Sequence, residues 1–243
     1  MVATRSEVHS ITHRGANLEG VLVLPDHGPR PHPTVLVFGG WEGRATGVVD
    51  VANMVASMGY AAFAVDLYGD AIIGETNKAC EALMAPFIDD RALLADRLHQ
   101  VVEGVADLAP VDGDRLLAAG FCFGGLCVLD LARHNEPVIG VVSFHGVLDP
   151  PPATATEPID PRVLVLHGWD DPLAPPEAVT ALAAELSSRE ADWQLHGFGA
   201  TMHAFMVAGA DDAANGVQYN ERSAGRAWAH FRRFLHECIP LAS

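Results

Sequence analysis

Leu116-Leu117-Ala118-Ala119-Gly120-Phe121-Cys122-Phe123-Gly124-Gly125 is an apolar run that ends in glycine, a lone cysteine and glycine again, and Leu126 to Ala132 after it has helical character. This is the form of a nucleophile elbow, in which a strand turns abruptly into a helix and holds one side chain in strained geometry. Residues two before and two after the nucleophile approach closely in such a turn, so a Cβ at Gly120 or Gly124 would clash. At the head of the helix, Cys122 would stand beside backbone N–H groups and the positive dipole end, which favour a thiolate and any oxyanion formed there. Taken alone, the motif also fits a buried structural cysteine in a glycine-rich turn.

Outward from the elbow, apolar runs rich in β-branched residues recur between Gly, Pro and Asp, most of them followed by a segment of helical period. Leu18 to Leu24 is an expected strand, and Thr34 to Phe38 a buried one ending in the turn Gly39-Gly40-Trp41-Glu42-Gly43. A helix is predicted over Val48 to Met58, stopped by Gly59, then a strand from Tyr60 to Val65 closing on Asp66. Thr76 to Leu108 predicts two helices separated near Pro86, the second from Asp89 with one buried face. Strands over Val138 to Phe144 and Arg162 to Leu166, a helix over Pro176 to Ser188, a short strand near Trp193 and a final helix from Glu221 to Glu237 complete the pattern. Nearly continuous apolar strands joined by crossover helices predict an α/β fold, a mostly parallel central sheet with helices on both faces. At 243 residues the chain fits a single domain over residues 1–243, with Pro150 to Pro161 a surface loop within it.

Composition narrows the function classes. Lys and Arg number 15 against 31 Asp and Glu, a net charge of -16, which repels phosphate backbones and anionic headgroups, so neither nucleic acid nor membrane is an expected partner. No apolar run approaches the roughly 20 residues of a membrane span, and Met1 to Asn17 lacks the apolar stretch of a signal peptide, so the expected compartment is the cytoplasm. Cys80, Cys122, Cys127 and Cys238 form no Cys-x-x-Cys pair and read as reduced thiols. His145, His167 and His196 are not at metal-ligand spacing, and Gly39 to Gly47 lacks a Gly-Lys-Ser/Thr ending, so neither a metal nor a phosphate-binding loop is expected.

Two further segments accompany the elbow. His167-Gly168-Trp169-Asp170-Asp171-Pro172 follows a strand and offers an acid at the sheet's C-terminal edge, although Asp before Pro is also a common turn. Met202-His203-Ala204-Phe205 puts a histidine in a small-residue loop after the last short strand, a place a plain loop histidine could equally occupy. The order nucleophile, acid, histidine is that of α/β-hydrolases, and no Gly-x-Ser-x-Gly competes for the role. Cys122, Asp171 and His203 are therefore the candidate triad.

The stretches Gly39 to Gly43, Gly120 to Gly125, His167 to Pro175 and Met202 to Phe205 resemble those of the dienelactone hydrolase family, from about Leu18 to the final helix. The resemblance implies an α/β-hydrolase fold, a Cys-His-Asp triad at Cys122, His203 and Asp171, and a glutamate against the resting thiol, matched by Glu42. It further implies an oxyanion hole from the N–H groups of Phe123 and Gly43, no cofactor, and a small ester or lactone as substrate of a monomer or homodimer. In the family two arginines hold a substrate carboxylate; Ala204 to Gly209 contains none, and Arg91 is the candidate for the other. Arg91, Trp41 and Phe205 are thus the expected substrate contacts, in a pocket suited to neutral acyl groups. Transfer of the acyl group to an acceptor other than water, and a thiol-based ligand sensor without turnover, are the alternatives.

Overall fold

Strand order explains where a site can form. In the computed structural model, which describes residues 4–152 and 155–241, eight strands make one sheet: β1 (Thr4–His13), β2 (Ala16–Pro25), β3 (His32–Phe38), β4 (Ala61–Ala64), β5 (Val111–Phe121), β6 (Gly140–Phe144), β7 (Arg162–Gly168) and β8 (Trp193–Phe198). Their order is β1-β2-β4-β3-β5-β6-β7-β8. β1 pairs antiparallel with β2 and β2 with β4, while β4, β3, β5, β6, β7 and β8 are parallel neighbours. From β3 the chain passes first to β4 on one side and then to β5 on the other. The crevice at the C-terminal ends of β3 and β5 is therefore the topological switch point where open α/β sheets bind ligands. The Gly39–Gly43 turn leaves β3 there, and Cys122 leaves β5 beside it.

The sheet is covered twice. Helices α1 (Thr46–Ser57) and α6 (Glu221–Cys238) pack on one face over Val35, Val37, Ala62, Leu117, Val142 and Leu164. Helices α3 (Arg91–Ala106), α4 (Phe123–Arg133) and α5 (Pro176–Ser188) cover the other, over Leu36, Phe38, Phe63, Leu116, Val141 and Val163. Adjacent residues of one strand, such as Leu36 and Val37, enter opposite cores, which is why β3 is buried throughout. Each fully buried Leu or Val adds about 1.5–3 kcal/mol, so both faces hold the central strands rigid under the site. Among the described residues no helix is long and apolar enough to cross a membrane. Of the Pro150 to Pro161 loop, residues 153 and 154 lie outside the described residues, as do residues 1–3 of the N-terminal stretch.

Three elements depart from the sequence expectation. β1 was not expected, because its exposed edge alternates polar residues and leaves Val8 65% accessible, so no continuous apolar run marks it. The helix α2 (Asn77–Asp89) runs through Pro86, and the break falls at Asp90. Pro86 lies in the last turn, where its carbonyl still accepts the Asp90 N–H at 3.2 Å, and the Asp90 carboxylate then caps α3 by accepting the Leu93 N–H at 2.9 Å. A two-stranded ribbon, β9 (Asp211–Asp212) with β10 (Val217–Gln218), is too short to leave a periodic signal.

Candidate active site

Cys122 has φ 54° and ψ −115°, a conformation that costs a non-glycine residue about 1–3 kcal/mol and persists only where its surroundings impose it. The surroundings are the elbow's glycines. A Cβ on Gly120 would lie 1.9 Å from the Gly124 carbonyl oxygen, and one on Gly124 would lie 2.4 Å from that of Gly39, so strand, helix and the turn after β3 meet in van der Waals contact. The Cys122 N–H donates to Phe144 O at 3.1 Å, and its carbonyl accepts from Gly125 N at 2.9 Å. Held between β6 and the first turn of α4, Cys122 remains partly accessible.

The acid and the histidine are joined by an equally close approach. A Cβ on Gly168 would lie 2.6 Å from Thr201 O and 2.7 Å from Met202 O, so only glycine lets the loop after β7 touch the loop bearing His203. Asp171 accepts the Leu173 N–H at 2.8 Å through Oδ1, while Oδ2 is 2.7 Å from His203 Nδ1. The ribbon fixes the histidine from behind: the His203 N–H donates to Gly216 O at 2.9 Å, and Gln218 N–H donates to His203 O at 3.0 Å. Both side chains are buried, Asp171 completely. Burial alone would push the imidazole down, but the hydrogen bond to Asp171, reinforced by the Cys122 sulfur, pushes it up to about 10. Nε2, the nitrogen left over, is buried with no hydrogen-bond partner, and the Cys122 sulfur is the neighbour that helps raise the ring. The structure thus brings Cys122, His203 and Asp171 together.

The remaining sequence candidates divide. Phe123 opens α4, where a backbone N–H has no helical acceptor, as an oxyanion donor requires. Gly43 does not fit its expected role: its N–H donates to Gly40 O at 3.1 Å and closes the turn. The central residues of that turn are Trp41 and Glu42, whose N–H groups take no part in closing it. Glu42 folds back over Gly40, its Oε2 2.6 Å from where a Cβ would stand. Trp41 is half-buried, and its carbonyl accepts the Tyr68 hydroxyl at 2.9 Å. Phe205 does not line an open pocket, because it is fully buried against His145 and Phe198. Arg91 is not a substrate cation in this arrangement: Nε and Nη2 bond Asp130 at 3.0 and 2.5 Å, in a buried network that continues through Arg133 to Glu185. Asp130 lies eight residues along α4 from the nucleophile, a rise of about 12 Å.

Sequence reasoning missed four residues. Tyr68 stacks on Phe123 with ring centroids 6.5 Å apart, and burial, together with nearby thiols and Glu42, pushes its hydroxyl well above the usual range. His145 and His167 are buried with no partner on either ring nitrogen, and the His145 ring stands edge-on to His203 at 5.0 Å. Burial, then the charge of His203, pushes His145 well down. Arg44, next to Gly43, keeps its Nε buried without an acceptor. Only the strand-end position of the two histidines hinted at any of this. Among the described residues no cluster of His, Cys, Asp or Glu can hold a metal ion.

The model of the dienelactone hydrolase family matches residues 18–239. The chain belongs to that family. A Caenorhabditis elegans protein is 34% identical over 154 residues, 62% of this chain and 98% of its own length. A Yersinia pestis protein bearing a carboxymethylenebutenolidase name is 26% identical over 231 residues, covering 90% of this chain and 83% of the relative. Among solved structures, the dienelactone hydrolase-like promiscuous phosphotriesterase P91 from metagenomic libraries superposes with a TM-score of 0.93 at 29% identity, over 99% of this chain and 100% of that one. This dienelactone hydrolase family member thus shares the α/β-hydrolase architecture over 99% of its chain.

Proposed function

We propose that the protein hydrolyses small carboxylic esters or lactones through a thioester on Cys122, with His203 as proton carrier and Asp171 as the group that orients it. The observation that carries this reading is the imidazole held at 2.7 Å by a buried carboxylate and raised to about 10 with the Cys122 sulfur as its other neighbour. The Cys122 proton passes to His203 Nε2, and the sulfur attacks the carbonyl carbon. The N–H of Phe123 and a central N–H of the Trp41–Glu42 turn receive the oxyanion, a contribution of about 3–4 kcal/mol per donor in comparable sites. On collapse the C–O bond breaks, and the alkoxide leaves with the proton from His203. Water then gives its proton to His203, adds to the thioester, and expels the thiolate with the carboxylic acid product.

The substrate favoured is uncharged. Arg91 is committed to Asp130, the stretch after His203 holds no arginine, and the loops beside the site expose Ile72, Ile73, Leu173 and Val207. Arg44 is the cation nearest the oxyanion turn in sequence, so paired neutral and carboxylated lactones test this directly. Release of p-nitrophenol from p-nitrophenyl acetate, abolished by prior alkylation of Cys122, tests the mechanism; turnover that survives alkylation refutes it. Added alcohols that divert acid into new esters would reassign the protein as an acyltransferase. A permanent adduct on Cys122 without turnover would make it a sensor. The P91 relative is named for phosphotriester hydrolysis, and paraoxon belongs in the same panel for that reason.

A further inference from the structure

We infer that Tyr68 is a positioning residue for acyl transfer: its hydroxyl sets the plane of the Trp41–Glu42 peptide and so aims the oxyanion turn at Cys122. This rests on the esterase reading above. The hydroxyl donates to Trp41 O at 2.9 Å, and the other half of that same peptide unit is the Glu42 N–H. Donation to the carbonyl of a peptide fixes its plane and strengthens its N–H as a donor. The same ring stacks on Phe123, the first residue after the nucleophile, with planes 10° apart. One side chain therefore contacts both segments that supply oxyanion donors. A narrow cavity lies along that seam, and Tyr68 lines it together with Phe38, Val65, Leu67 and the glycines of turn and elbow.

Tyr68 is itself immobilised, which a positioning group requires. The Asp66 carboxylate accepts the backbone N–H groups of Glu19, Gly69 and Ala71 at 3.0, 2.9 and 2.9 Å, pinning the loop on both sides of Tyr68. Arg97 donates to Leu67 O at 2.6 Å, and the Tyr68 ring packs on Phe87 at 6.0 Å. On the far side of the turn, Gly74 N–H donates to Glu42 O at 3.0 Å, so the carbonyls of Trp41 and Glu42 are held by donors from one continuous loop, Tyr68 to Gly74. The Asp66 loop is thus a bracket for the oxyanion turn, and the phenol is its point of contact.

The test separates oxyanion geometry from thiol reactivity. Tyr68→Phe keeps the ring and deletes only the hydroxyl. Two rates are measured on each protein: acylation of Cys122 by p-nitrophenyl acetate, which passes through an oxyanion, and alkylation of Cys122 by iodoacetamide, a displacement that does not. The expected result is a loss of roughly 10-fold or more in kcat and in acylation, a fraction of the loss from deleting a donor outright, with KM and alkylation changed less than about 2-fold. Equal acylation in both proteins overturns the positioning role while leaving the esterase reading intact. A parallel fall in both rates marks a structural defect and overturns it as well. Failure of the wild-type protein to acylate at Cys122 overturns the esterase reading and this inference with it.

Discussion

Replacing Asp171 by Asn removes one charge and leaves the shape, and its effect can be worked from the site. The Asp171–His203 bond is 2.7 Å long between two buried side chains. A charge-assisted hydrogen bond contributes about 1.5–3 kcal/mol, and about 1.4 kcal/mol corresponds to one pKa unit. The His203 midpoint therefore falls by about one to two units from its wild-type position near 10. Because the folded value lies above the ordinary 6.5, the stabilisation from this proton is complete below pH 6.5 and is lost as pH rises through 10. Urea unfolding of wild type and Asp171→Asn should accordingly differ by about 1.5–3 kcal/mol at pH 6, and the gap should narrow as the pH approaches 10. Titrating groups other than His203 and residue 171 are common to both proteins and cancel in the difference. Turnover should fall by about 10³–10⁴-fold, as in comparable triads where the imidazole is left in the wrong tautomer. A stability gap that is constant with pH, or that widens as pH rises, would refute the reasoning.

Gly168→Ala drives a methyl group to 2.6 Å from Thr201 O, and should cost about 1–3 kcal/mol in thermal unfolding while separating Asp171 from His203 and lowering turnover about 100-fold. Arg91→Met should destabilise by about 3–5 kcal/mol, because it leaves Asp130 with half of its buried pairing, yet leave KM for a neutral ester unchanged; a raised KM with intact stability would return Arg91 to the substrate. Phe205→Ala should behave as a core truncation, losing about 3–5 kcal/mol of stability, which calorimetry reads. Carbamidomethylation of Cys122 should lower the His203 midpoint, read by histidine NMR, since the sulfur contributes to its elevation; a midpoint still near 10 would show Asp171 to be its sole support.

The features legible in the sequence are those fixed by local sterics. Gly120 and Gly124 announce the elbow because no other residue tolerates backbone oxygen at 1.9 and 2.4 Å from its Cβ. The central strands declare themselves because burial on both faces makes them continuously apolar, whereas β1, with one face in solvent, reads like a loop. The Gly43 N–H misled because its acceptor, Gly40 O, depends on how the turn closes, not on which residues compose it. Arg91 misled for a longer-range reason: Asp130, 39 residues away, neutralises it only after α3 packs against α4. Tyr68 gave no signal, since an aromatic residue after a strand ordinarily reads as core, and its polar end found a partner 27 residues upstream.

The neighbours of His203 also account for how one imidazole could serve both halves of the proposed cycle. At a midpoint near 10 it keeps its proton at neutral pH, which suits an acceptor of the Cys122 proton but would make it reluctant to give that proton to an alkoxide. Part of the elevation comes from Cys122 and vanishes once the sulfur is acylated, so the act of attack itself lowers the barrier to donating the proton. The deprotonated ring left behind is the base that deacylation needs. His145 and His167 keep the exchange clean: both are buried without partners and pushed down by burial and by the charge of His203, so neither competes for the proton. A second carboxylate in their place would hold His203 protonated through both steps, and water would find no base.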